Sequence, residues 1–134
     1  MPRNDLNPGS PAYWLRTARA DLAHARGEVH EELPAFNCFH AQQAAERSIK
    51  AIHVHLGLNF AAIHDIQKLL TDLPADIAVP TEVEDAVILT KYAVASRYGT
   101  IEQPDLDDLS HAIHLAEAVY KWAGEIVNGD PTAR

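Results

Sequence analysis

The chain has 134 residues, 47% of them hydrophobic and 22% charged, which fits one globular domain and not a disordered segment. A net charge of −8 disfavours a general high-affinity nucleic-acid binder, and a single cysteine, Cys38, excludes an intrachain disulfide and a cysteine-based zinc cluster. No apolar run approaches the roughly 20 residues of a membrane span, and Met1 to Pro11 lacks the apolar core of a signal peptide, so a cytoplasmic protein is expected.

Charge is unevenly spread. Residues 1–60 hold six Lys/Arg against six Asp/Glu, whereas residues 61–134 hold five against thirteen. The excess acid therefore lies in the second half, and a small positive site on the first half stays open.

The first predicted helix runs from Tyr13 to about Glu31, with Leu15, Ala18, Leu22, Ala25 and Val29 recurring at three- and four-residue steps. Pro34 opens a second helix, which runs to about Leu56–Gly57 on a seam of Cys38, Ala41, Ala45, Ile49, Ile52 and Leu56. A short helix follows from His64 to Thr71, where an uncharged His64 ring is placed to cap amides. Thr81 and Glu84 read as a capping box opening a fourth helix to about Arg97. The last helix starts near Asp105 and keeps an apolar stripe from Leu106 to Val127.

Nothing alternates with a period of two for long enough to argue a strand. The expectation is an all-α, up-and-down antiparallel bundle of four long helices and one short one. Residues 12–128 form it, with residues 1–11 and 129–134 as flexible ends. The seam of the last helix is longer than one core needs, and a homodimer is a reasonable use for the excess.

The second helix also carries a polar stripe. Gln43, Glu46, Lys50 and His53 are spaced three, four and three apart, and Arg47 lies within a turn of Lys50. One reading is a solvated face with an intrahelical Glu46–Lys50 pair, contributing a few tenths of a kcal/mol. The other is a small site between helices, where Arg47 and Lys50 bind a phosphate and His53 moves a proton. Arg97 and Tyr98, ending the fourth helix, either neutralise the helix dipole or point into the same groove.

Metal chemistry finds little support. His111, His114 and Glu117 spiral around their helix, and no Glu has a His three positions later, as di-iron bundles require. There is no Gly-rich phosphate loop, serine elbow or Cys–His signature, and Cys38 falls on the apolar seam. No cofactor is expected.

Several of these residues together carry a resemblance. Asp21-Leu22 and Ala25 in the first helix are followed by the run from Phe39-His40-Ala41-Gln42-Gln43 to Lys50-Ala51. His64-Asp65-Ile66-Gln67-Lys68-Leu69-Leu70, Lys91-Tyr92 and Ser96-Arg97-Tyr98 complete the set. The pattern spans Tyr13 to Val127 and resembles the HEPN family (higher eukaryotes and prokaryotes nucleotide-binding), most closely its small stand-alone prokaryotic branch.

The resemblance implies a helical bundle, commonly homodimeric, often encoded beside a minimal nucleotidyltransferase with which it forms a toxin–antitoxin-type pair. It implies that active members are metal-independent RNases using an Arg followed, after four to six residues, by His. In that chemistry Arg stabilises the phosphorane charge and His shuttles the proton of the 2′-hydroxyl. In this chain the positions after Arg97 include Glu102, Gln103 and Pro104 but no His, and Gly99 stands where the branch usually has Pro.

Arg47 and His53 have the motif's spacing, but in the second helix. The catalytic candidates are therefore Arg97, Arg47 and His53, and the candidates for a nucleotide or RNA groove are Gln43, Glu46, Lys50 and Tyr98. The expected role is the HEPN half of a pair with a minimal nucleotidyltransferase. The alternatives are an RNase toxin and a nucleotide-binding module, so whether the chain is an enzyme stays open.

Overall fold

In the computed structural model, residues 7–60, 62–93 and 103–129 are described, and every regular element among them is helical. Helix α1 spans Pro11–Arg26, α2 Pro34–His55, α3 Ile66–Thr71, α4 Thr81–Asp85 and α5 Leu106–Val127. Helices α1 and α2 form an antiparallel hairpin, and α5 lies along both. The connection from α3 through α4 covers the remaining side with Ile66, Leu69, Val83 and Leu89. No helix among the described residues is long and apolar enough to cross a membrane.

The ends of α1 show why this segment folds as it does. Ser10 Oγ accepts from the Ala12 amide at 3.1 Å, and Pro11 supplies the fixed φ of the first turn. The helix stops at Arg26, five residues before the expected Glu31. Gly27 is the stop, and Asn37 Nδ2 reaches up from α2 to the Ala25 carbonyl at 3.1 Å and the Gly27 carbonyl at 3.2 Å. The chain then turns through a 3₁₀ segment, His30–Glu32, with Glu31 and Glu32 in the left-handed region at φ 51° and 57°. Val29 continues the apolar period of α1, yet it packs on the core from this loop.

The expected long fourth helix is also interrupted. Pro80 is the N-cap of α4, with no side-chain cap bond, so the Thr81–Glu84 capping box does not form. The helix ends at Asp85, passes through a 3₁₀ turn at Ala86–Leu89 and is helical again at 90–93. The capping box in this structure opens α5 instead: Asp108 N–H donates to Asp105 Oδ1 at 2.8 Å, and Asp105 N–H to Asp108 Oδ2 at 2.9 Å.

Helix α2 is the centre of the molecule. Its small residues Ala41, Ala44, Ala45 and Ala51 are fully buried and let α1 and α5 approach closely, while Ile49 and Ile52 fill the layer between them. This sandwiching buries almost all of α2, including Gln42, Glu46, Ser48, Lys50 and His53.

Cys38 is core, as its seam position implies. Burial pushes its thiol up from 9.0 to about 11, with the Asp108 carboxylate adding to the effect. Burial likewise pushes Tyr92, which donates to the Cys38 sulfur, up from 10.0 to about 12. Both groups hold their protons more tightly in the folded chain than unfolded. Their contribution is thus complete below about pH 9 and is lost as pH rises through about 11–12. The melting temperature is expected to hold to pH 9 and fall steadily above it, and iodoacetamide is expected to leave Cys38 unmodified at pH 7.5 until the chain unfolds.

Candidate functional site

The second-helix polar stripe divides into two clusters with different fates. Gln42, Glu46, Lys50 and His53 turn toward the segment linking α2 to α3. His40 and Arg47 turn toward Asp21 on α1, and Gln43 is half-buried on the same helix.

In the first cluster, Glu46 is 2% exposed and is fully engaged. Its Oε1 accepts from Gln42 Nε2 at 2.8 Å and His64 Nδ1 at 2.9 Å, and its Oε2 from Lys50 Nζ at 2.8 Å. The Lys50 ammonium also lies 5.3 Å from the Phe60 ring centroid and 5.9 Å from that of Trp14. Trp14 in turn is held by its Nε1–H bond to the Pro8 carbonyl, 3.0 Å away. The stripe is therefore not a solvated face. His64 does not cap α3; Asp65 does, accepting from Lys68 N–H, and His64 anchors the preceding loop to Glu46.

His53 is fully buried, with Nε2 2.8 Å from the Leu69 carbonyl. A carbonyl only accepts, so Nε2 carries a proton and donates to it. Its Nδ1 is buried without a partner. His53 thus ties α2 to the end of α3, and Lys50 has its charge matched by Glu46.

The second cluster stays partly open. Asp21 on α1 is buried, and its Oδ2 accepts from Arg47 Nη1 at 2.8 Å while Oδ1 lies 3.1 Å from His40 Nδ1. The carboxylate only accepts, so His40 Nδ1 is a donor to it. The His24 ring stacks on His40 at 4.9 Å between centroids. The side chains of His40 and Arg47 each remain 35% exposed. Gln43 lies between them on the helix, with a buried Oε1 that has no partner. Arg47 spends one of its five N–H groups on Asp21, so a cation and an imidazole are held side by side at the half-exposed α1–α2 surface by a single carboxylate.

Such an arrangement suits an oxyanion ligand. Arg offers a planar fork to phosphate, and the imidazole accepts or donates a proton beside it. Among the described residues no group of three or more His, Cys, Asp or Glu is placed to hold a metal ion. His114 instead pairs with Glu82 at 3.1 Å. Arg97 and Tyr98 lie outside the described residues.

A model of the HEPN domain matches residues 12–127. This chain belongs to the HEPN family.

Two solved structures are similar to this HEPN chain. TT1696 from Thermus thermophilus shares 34% identity, with 86% of this chain and 96% of that one covered and a TM-score of 0.77. ST0689, an archaeal HEPN homologue, shares 24% identity over 88% and 98% of the two chains, with a TM-score of 0.69; at that identity the likeness concerns the fold. No curated protein matches the chain significantly.

Sequence spacing within α2 did not reveal Asp21 of this HEPN chain as the partner that Arg47 and His40 share. One signal was present. Asp21 precedes Leu22 and falls on the buried side of α1 beside Ala18 and Ala25, and a carboxylate there requires a partner from another helix.

Proposed function

We propose that this HEPN protein is one half of a two-protein pair with a minimal nucleotidyltransferase, and that its α1–α2 cleft receives a phosphate of a nucleotide or RNA. One observation carries the ligand side: buried Asp21 holds Arg47 and His40 together, each with its side chain partly exposed. The remaining guanidinium N–H groups and a His40 Nε2–H are the phosphate donors, and Gln43 supplies an amide nearby. Glu46, Lys50 and His53 are the scaffold behind this cleft, fixing the loop that follows α2. The resemblance to the small prokaryotic HEPN branch supports the transferase partner. The exposed carboxylates of α4, Glu82, Glu84 and Asp85, offer that partner an acidic surface to steer toward.

The partner side is tested by co-expression with the neighbouring transferase, tagged. The two proteins are expected to co-elute, and Glu82→Lys/Glu84→Lys/Asp85→Lys is expected to weaken the complex with a steeper loss at high salt. A transferase that never associates contradicts the pairing. An RNA-degradation assay on the purified chain separates this role from the RNase reading: cleavage abolished by Arg47→Ala moves the function to that of an enzyme.

A further inference from the structure

Among the described residues four large hydrophobic side chains are exposed, and two of them, Leu33 and Phe36, are neighbours one turn apart at the start of α2. Phe36 is 57% exposed on a helix that is otherwise almost wholly buried. It forms one wall of a hollow of about 210 Å³ between the end of α1 and the start of α2, which His24, Gly27, Glu28 and His40 also line. Pockets for drug-sized ligands begin at about 300 Å³. This hollow is the size for a single side chain of a partner.

The apolar spot is bordered by acid. Glu28, Glu31 and Glu32 are all exposed, and none of them is in an ion pair among the described residues. Arg26, the cation nearest in sequence, is engaged by Glu117 on α5. Glu31 and Glu32 are also held at φ 51° and 57°, a left-handed backbone that glycine adopts freely and other residues disfavour. The turn thus keeps two carboxylates beside Leu33 at a conformational cost that glycine would avoid, a pattern that strained functional segments share.

We propose that the α1–α2 turn is a docking site for a basic peptide segment of a partner protein. An apolar side chain of the segment enters the hollow against Phe36, and its flanking Lys or Arg residues meet Glu28, Glu31 and Glu32. Charge selects this occupant. A nucleic-acid strand would gain Phe36 as a stacking ring but would bring phosphates against three carboxylates, and an anionic membrane surface is repelled in the same way. A second copy across a two-fold axis would set Leu33 and Phe36 against themselves with both sets of carboxylates facing each other. The site depends neither on the phosphate ligand nor on the transferase: Phe36 and Arg47 are about 16 Å apart along α2.

Selection of displayed random peptides on the immobilised full chain tests it, followed by fluorescence-anisotropy titration of the enriched peptides. These are expected to carry Lys or Arg on either side of an apolar residue, and their dissociation constant is expected to rise at least about tenfold in Phe36→Ser. Glu31→Gly/Glu32→Gly is expected to weaken binding as well, while the melting temperature holds or rises because the left-handed backbone no longer carries side chains. Asp76→Asn/Asp107→Asn removes two exposed carboxylates elsewhere and should leave binding unchanged. No enrichment, enriched peptides without basic residues, or binding indifferent to Phe36→Ser overturns the proposal. So does a dimer, seen by sedimentation velocity, that Phe36→Ser dissolves, or Phe36-dependent binding of single-stranded RNA, because either gives the patch a different occupant.

Discussion

Glu46→Ala is expected to destabilise the domain by about 3 kcal/mol or more, the usual cost of stranding one member of a buried ion pair. Glu46 is 2% and Lys50 7% exposed, so the ammonium left behind lies in an environment of low dielectric between the Trp14 and Phe60 rings. Its cation–π contacts compensate only in part, at about 1–2 kcal/mol. Gln42 and His64 lose an acceptor in the same step, and the loop that carries Phe60 and His64 loses its tie to α2.

The melting temperature should fall by about 10 °C for a domain of this size. The double variant Glu46→Leu/Lys50→Met should recover much of the loss, because a buried pair replaced by apolar groups of similar size is often near neutral. The surface bridge between Arg26 and Glu117 is a useful contrast. Its side chains are 49% and 43% exposed, so Glu117→Ala is expected to cost under about 1 kcal/mol. Denaturant unfolding of the variants, read by circular dichroism, measures all of these, and equal costs for Glu46→Ala and Glu117→Ala would contradict the assignment.

Much of the fold was legible because its signals are local. Pro11 and Pro34 at helix starts, the seam from Cys38 to Ile52 and the stripe of α5 depend on spacing alone, and the elements they define are present. The errors came where two local signals competed. Val29 continued the apolar period of α1, but Gly27 had already ended the helix, and Asn37, from the next helix, holds that end. Thr81 and Glu84 have the spacing of a capping box, but Pro80 takes the cap position and has no N–H to donate in the reciprocal bond.

The candidate site was less legible for a different reason. Spacing placed Gln43, Glu46, Arg47, Lys50 and His53 along one stripe of α2, but it contains no information on how many neighbours α2 has. With α1 on one side and the α3 segment on another, the stripe is split. Lys50 and His53 turn inward to Glu46 and Leu69, and Arg47 turns to Asp21 on α1. Ion pairs between helices are set by tertiary packing, and only the misplaced polarity of Asp21 hinted at this one.

Arg47→Ala is expected to remove phosphate binding, the second large effect. The substitution deletes the guanidinium that Asp21 holds between α1 and α2 and leaves Asp21 paired with His40 alone, so the cluster loses one positive charge and the Asp21 carboxylate is left to repel phosphate. Arg47→Lys retains charge but loses the fork that grips Asp21 and phosphate together, and an intermediate loss is expected. Lys68→Ala removes an exposed cation paired with Asp72 far from the cleft in sequence and should leave binding unchanged.

The most direct measurement is a titration of the full chain with a short 5′-phosphorylated single-stranded RNA and, separately, with ATP. It is run at low salt by fluorescence anisotropy and by NMR of the histidine rings. Saturable binding is predicted, with the His40 resonance shifting, affinity at least about tenfold weaker in Arg47→Ala and the salt slope lower by about 1. Absence of binding by the unsubstituted chain, or equal binding by Arg47→Ala, would contradict a phosphate site between α1 and α2.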